Sequence, residues 1–285
     1  MERASSSKGG LRVVDPEADQ PASTKTTVSR NLASLAIEVT EARLSYPLGA
    51  YARGSLKSAV LSVFGHKDRT PKAEFVEAIR GLNIRVVAGE RVALIGHNGS
   101  GKSTLLRALA GIYPLAAGEI KVVGRIGTLL DIALGFETES TGRENIYFRG
   151  MTLGYSRKQL RAAEKEIVDF ADLGEFIDLP MRTYSSGMYV RLGFAVSTQF
   201  SPDILLVDEV FGAGDASFGK RAVDRMLNIV NNAGIFVIAT HDISLVELVC
   251  QRVLWLNRGQ IVRDGPPSLV LPEYHRYMAG EASLP

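Results

Sequence analysis

The chain has 285 residues, 46% of them hydrophobic and 22% charged, with a formal net charge of +2. This is ordinary globular composition, sufficient for one large domain or a core with an inserted lobe, and the near-balanced charge argues against the basic face of a nucleic-acid binder. A single cysteine, Cys250, excludes an intrachain disulfide and favours a reducing compartment, and no apolar run approaches the roughly 20 residues of a membrane-spanning helix.

Residues 1 to about 33 are rich in Ser, Thr, Ala and charge, and are expected to be a disordered or loosely attached tail without a secretory apolar segment. Order is expected from Ala36-Ile37-Glu38-Val39, an alternating strand pattern that ends near Tyr46-Pro47. Between 50 and 73, Leu56, Ala59, Val60 and Val63 fall at helical spacing among several Lys and Arg residues. That stretch reads either as a surface excursion or as a contact to a membrane surface or membrane-bound partner. Alternation returns from Phe75 to Val87, and Gly89-Glu90 turns the chain into Val92-Ala93-Leu94-Ile95, a buried strand.

Gly96-His97-Asn98-Gly99-Ser100-Gly101-Lys102-Ser103-Thr104 follows that strand and precedes an apolar helix, Leu105 to Ala110. Strand, spacing and helix together match the phosphate-binding loop G-x-x-x-x-G-K-[ST]. Glycines let backbone N–H groups meet phosphate oxygens, and the new helix turns its positive end to them. Lys102 is expected on the β- and γ-phosphates and the Ser103 hydroxyl on Mg²⁺.

Glu119–Val123 and Arg125–Leu130 then look like strands. Helical character takes over after Phe136, with capping-box patterns at Thr141-Gly142-Arg143-Glu144 and Ser156-Arg157-Lys158-Gln159. A helical lobe is predicted over about 136 to 200. Tyr184-Ser185-Ser186-Gly187-Met188 caps a helix and presents donors at its positive end. Ile204 to Val207 and Phe236 to Ala239 read as central parallel strands. The first ends in Asp208-Glu209, where Asp208 suits an Mg²⁺ shell and Glu209 could polarise an attacking water. The second ends in Thr240-His241-Asp242, which brings His241 to the same sheet edge as a donor to the γ-phosphate. Val253–Leu256 and Gln260–Val262 form a hairpin around Asn257-Arg258-Gly259.

Taken together, these motifs resemble those of ATP-binding cassette (ABC) ATPases over about residues 35 to 268. The resemblance implies an α/β P-loop core with an inserted helical lobe and an N-terminal antiparallel β-subdomain. The cassette would occupy about 34–270, with 271–285 as a short tail. It makes Gly96–Thr104 the Walker A loop, Asp208 and Glu209 the Walker B pair, and His241 the switch histidine. It makes Ser185, Ser186 and Gly187 the signature and Asp215 the D-loop residue, and it implies ATP with Mg²⁺ as cofactors. The Q-loop glutamine is missing, and Asp131 is the nearest polar substitute. The adenine-stacking aromatic is Tyr46 or, alternatively, Phe75. Two copies are expected to pair head to tail, the signature of one completing the ATP site of the other.

Leu129-Leu130-Asp131, Gly135-Phe136, Thr141–Tyr147 and Tyr184–Leu192 are similar to ATPase subunits of polysaccharide exporters, of the short class without a carbohydrate-binding domain. That implies a separate transmembrane permease as partner, a lipid-linked polysaccharide as cargo, no nucleic acid, and a peripheral place on the cytoplasmic face of the membrane. A drug or peptide exporter subunit and a soluble non-transport ABC ATPase are the rival readings.

Overall fold

The computed structural model describes residues 10–14, 34–47, 75–130, 132, 135–208 and 216–285. The stretch 50–73, Asp131, Glu209 and Asp215, all singled out above, lie outside these residues.

Two sheets enclose the core. The smaller has the order β1-β5-β2-β3 and comprises β1 (Gly10–Val14), β2 (Ala36–Pro47), β3 (Phe75–Val87) and β5 (Ala117–Val123). β2 pairs antiparallel with both β3 and β5. The larger has the order β10-β9-β4-β8-β7-β6. Its strands β4 (Arg91–Ile95), β6 (Ile126–Leu129), β7 (Ile204–Asp208), β8 (Ile235–Ala239) and β9 (Arg252–Asn257) are parallel, and β10 (Gln260–Gly265) returns antiparallel. β8 is buried at all five positions, as a strand covered on both faces must be.

Helix α1 (Lys102–Leu109) leaves β4 and lies between the sheets. Its Leu105, Leu106 and Leu109 share one core with Ile37, Ile79 and Ile120 of the small sheet and Leu94 and Leu206 of the large one. Each such side chain contributes roughly 1.5–3 kcal/mol of burial, so the helix that follows the phosphate loop is held from both sides. The lobe holds α2 (Gly142–Thr152), α3 (Arg157–Ala171) and α4 (Ser186–Ser197), packed around Ile146, Ile167, Met181 and Leu192. Both capping boxes form: Thr141 with Glu144 opens α2, and Ser156 with Gln159 opens α3. The remaining helices are α5 (Ala216–Asn232), α6 (Ile243–Val249) and α7 (Pro267–Met278).

Two expectations need correction. The tail ascribed to residues 1–33 contains β1, which pairs in parallel register with β5 from Gly10↔Glu119 to Val14↔Val123, so order begins well before Ala36 and the small sheet is mixed. The tail expected from 271 onward is helical as far as Met278. Val270, Leu271 and Tyr274 are buried there, with the Tyr274 ring edge-on to Trp255 at 5.4 Å, and that burial outweighs the proline at 272.

Candidate functional site

The loop from Gly96 to Gly101 emerges from β4 at the carboxyl edge of the large sheet, where ligands of open α/β sheets collect. Gly101 caps α1 with φ 109°, and a Cβ there would stand 2.8 Å from the Ala78 carbonyl oxygen. Only glycine fits so close an approach. The first turn of α1 therefore opens onto a cavity of about 180 Å³, lined by Asn98, Gly99, Ser100, Gly101, Lys102, Ser103, Thr104, Asp208, Ala239 and His241, with the positive end of the helix turned toward it.

Inside it, the Lys102 ammonium donates to the carbonyls of Gly96 at 2.7 Å and His97 at 3.2 Å. The Ser103 hydroxyl donates to Asp208 Oδ1 at 3.1 Å, joining the start of α1 to the end of β7. Ser100 is fully buried, and its Oγ has no hydrogen-bond partner among the described residues. His241 is exposed at the cavity wall between Thr240 and Asp242. Those neighbours fix its backbone: the Asp242 N–H donates to Thr240 Oγ1 at 3.0 Å, and the Asp242 carboxylate caps α6.

The donor set suits Mg²⁺. A hydroxyl and a carboxylate oxygen already stand within hydrogen-bond distance, and both are the hard oxygen ligands this ion takes. Among the described residues no cluster of three His, Cys, Asp or Glu side chains is assembled to hold a metal. Mg²⁺ characteristically takes only one or two protein oxygens, with phosphates and water completing its shell.

Tyr46 sits at the margin, its hydroxyl 3.3 Å from Thr104 Oγ1 and its ring edge-on to Tyr113 at 5.6 Å. Burial raises the pKa of its hydroxyl above the usual tyrosine value. Phe75 is 63% exposed and lies opposite Pro47 at the open end of β2 and β3.

Ser185, Ser186 and Gly187 do not line this cavity. Ser185 caps α4 by accepting from the Met188 N–H at 3.3 Å, and both serines are exposed. Within one chain, the start of α4 thus lies outside the cavity lined by the phosphate loop.

Sequence reasoning missed Asn257. Its Oδ1 lies 2.8 Å from His97 Nε2, and the next turn residue but one, Gly259, donates its N–H to the Ser100 carbonyl at 2.8 Å. Arg258 and Gly259 both have positive φ, 46° and 77°, the conformation of a tight hairpin. The turn was legible. Its contact with a loop 160 positions away was not.

A family model described as "ABC transporter" matches residues 79–212. The chain is 43% identical over 220 residues to "O-antigen export system ATP-binding protein RfbB" of Myxococcus xanthus, covering 77% of this chain and 50% of that protein. It is 42% identical over 224 residues to "O-antigen export system ATP-binding protein RfbE" of Yersinia enterocolitica, covering 78% and 94%. It is 38% identical over 204 residues to "Teichoic acids export ATP-binding protein TagH" of Enterococcus faecalis, covering 70% and 45%. The chain thus spans about half the length of the first and third and nearly all of the second. Among solved structures, the dimeric ATP-binding cassette MJ0796 in a post-hydrolysis state with ADP and Pi superposes with a TM-score of 0.60 at 19% identity, covering 81% of this chain and 98% of that one. At that identity the likeness establishes the fold.

Proposed function

The chain belongs to the ABC transporter family of ATPases, and we propose that it is the ATP-hydrolysing subunit of an exporter that moves a lipid-linked cell-envelope polysaccharide across the cytoplasmic membrane. The observation that carries the ATPase reading is the single cavity that gathers the phosphate loop, Lys102, Ser103, Asp208 and His241. The relatives named for O-antigen and teichoic acid export support the cargo.

The residues divide the work. Loop N–H groups and the Lys102 ammonium hold the β- and γ-phosphates of ATP. Ser103 and Asp208 hold Mg²⁺, which neutralises phosphate charge when bound. Glu209, one residue beyond Asp208, accepts the proton of the attacking water, and His241 donates to the γ-phosphate. Asp131 substitutes for the missing Q-loop glutamine, Asp215 serves as the D-loop residue, and Tyr46 stacks on adenine.

Because Ser185, Ser186 and Gly187 stand away from their own loop, a second copy supplies them in a head-to-tail dimer. Their N–H groups and helix dipole then stabilise the charge of phosphoryl transfer. No helix among the described residues is long and apolar enough to cross a membrane. A separate permease therefore provides the path, met by the lobe near Phe136–Tyr147, and holds this subunit on the cytoplasmic face.

The test is depletion of the protein in its native cell, followed by localisation of glycan. Lipid-linked polymer accumulating inside, with the surface layer depleted, is the expected result. Normal surface glycan together with failed efflux of a small hydrophobic compound would replace the cargo with a drug.

A further inference from the structure

Three arginines and three aromatic rings form one layer where the lobe meets α5. Phe218, near the start of α5, is fully buried against Phe170 of α3 at 5.6 Å and Phe194 of α4 at 6.0 Å. The Arg225 guanidinium lies 4.2 Å above the Phe170 ring, pairs with Glu166 at 3.2 Å and donates to Gln199 Oε1 at 2.8 Å. One helical turn earlier, Arg221 packs 5.7 Å from Phe170 and 5.8 Å from Phe218, and pairs with Asp172 at 3.1 Å. Arg191 of α4 lies 5.3 Å from the same Phe218 and donates to the Asp172 carbonyl at 3.0 Å.

Asp172 ends α3 in the left-handed conformation, so its carbonyl and carboxylate are both free of helical bonding. One residue thereby receives an arginine from the helix headed by Ser185 and another from α5, the next described helix after β7. The side chain of Arg225 is only 14% exposed while its partner Glu166 is 68% exposed, so the guanidinium is held by its stacking on Phe170 more than by a solvent-screened ion pair. Planar guanidiniums on aromatic faces define an angle as well as a distance, which a flexible ammonium would not do.

We infer that Arg221 and Arg225 are positioning residues for ATP hydrolysis, fixing the pose of the signature helix α4 relative to the end of β7. This rests on the head-to-tail ATPase reading above. In such a dimer each copy offers its loop to one site and its signature to the other, so the angle between the two parts decides whether both sites close together. Neither arginine lines the nucleotide cavity. Their loss should leave nucleotide affinity intact and lower turnover.

The test compares the full-length wild type with Arg221→Ala/Arg225→Ala and with the double Lys variant, which keeps charge but loses the planar fork. Equilibrium ATP binding, turnover against ATP concentration and thermal midpoint are measured for each. The expected result is ATP affinity within about twofold of wild type, with kcat lowered at least about fivefold, the lower end of typical coupling between sites. The Hill coefficient should fall toward 1, and the Lys variant should lie between wild type and Ala. Folded variants with wild-type kcat and Hill coefficient would overturn the inference. So would a kcat loss matched by an equal loss of ATP affinity, which marks general loosening. Should the Ala protein not fold, the Lys protein carries the same test. Wild-type turnover no higher than that of Lys102→Ala would overturn both this inference and the ATPase reading, whereas an active wild type beside unchanged variants overturns this one alone.

Discussion

Asn145 is fully buried at the second turn of α2 and saturates its side chain with protein partners. Its Nδ2 donates to the carbonyls of Glu137 at 2.8 Å, Ser140 at 3.3 Å and Thr141 at 2.9 Å, and its Oδ1 accepts from the Glu137 N–H at 2.7 Å. The loop it gathers is stitched onward, because the Met181 N–H donates to Ser140 and the Arg182 N–H to Thr138, just before the signature. The amide has two N–H donors shared among three carbonyls, so Asn145→Ala deletes about three bonds at about 1 kcal/mol each. Glu137 is exposed and Ser140 and Thr141 half-buried, so water recovers part of the loss. A net destabilisation of about 2–3 kcal/mol remains. For a chain of this size each kcal/mol lowers Tm by roughly 2–4 °C, so the midpoint should fall by roughly 4–12 °C. Differential scanning fluorimetry and urea titration of the purified protein read this directly. ATP affinity should not change, since neither Asn145 nor the loop it gathers lines the nucleotide cavity. A Tm within about 2 °C of wild type, less than even 1 kcal/mol would cause, would refute the claim that this amide organises the loop.

Lys102→Ala removes the one ammonium that lines the cavity among the described residues, and phosphate-release assays should show turnover at background with an unchanged circular dichroism spectrum. Glu209→Gln keeps shape and loses the carboxylate proposed as the base, so on that proposal ATP should bind without turning over. Light scattering should then report a dimer with MgATP and a monomer without, and a monomer in both would count against the head-to-tail arrangement. Cys250 is buried, and desolvation pushes its thiol up to about 12. At pH 8 only about one thiol in 10⁴ is ionised, so iodoacetamide should label the unfolded chain readily and the folded one hardly at all.

Elements whose signals are local were legible in the residues themselves. The phosphate loop, the apolar run into Asp208 and both capping boxes each depend on neighbours a few positions apart, and each sits where its pattern put it. β1 was hidden because a five-residue strand owes its existence to β5, more than a hundred positions on. α7 was hidden by its prolines, since its helical outcome depends on burial against other elements, Trp255 of β9 among them. The arginine layer carries no sequence signature, because its rings and cations are drawn from three helices.

The hairpin turn beneath the phosphate loop has a consequence during synthesis. His97 leaves the ribosome 160 positions ahead of Asn257, and Ser103 precedes Asp208 by 105. At about 5–20 residues per second, the loop waits about 8–32 s for its support to be translated. A nascent chain halted before the turn exposes the N-terminal half of the site without the strand edge that steadies it. Nucleotide therefore meets the hairpin-braced form of the loop only once synthesis has passed Gly259.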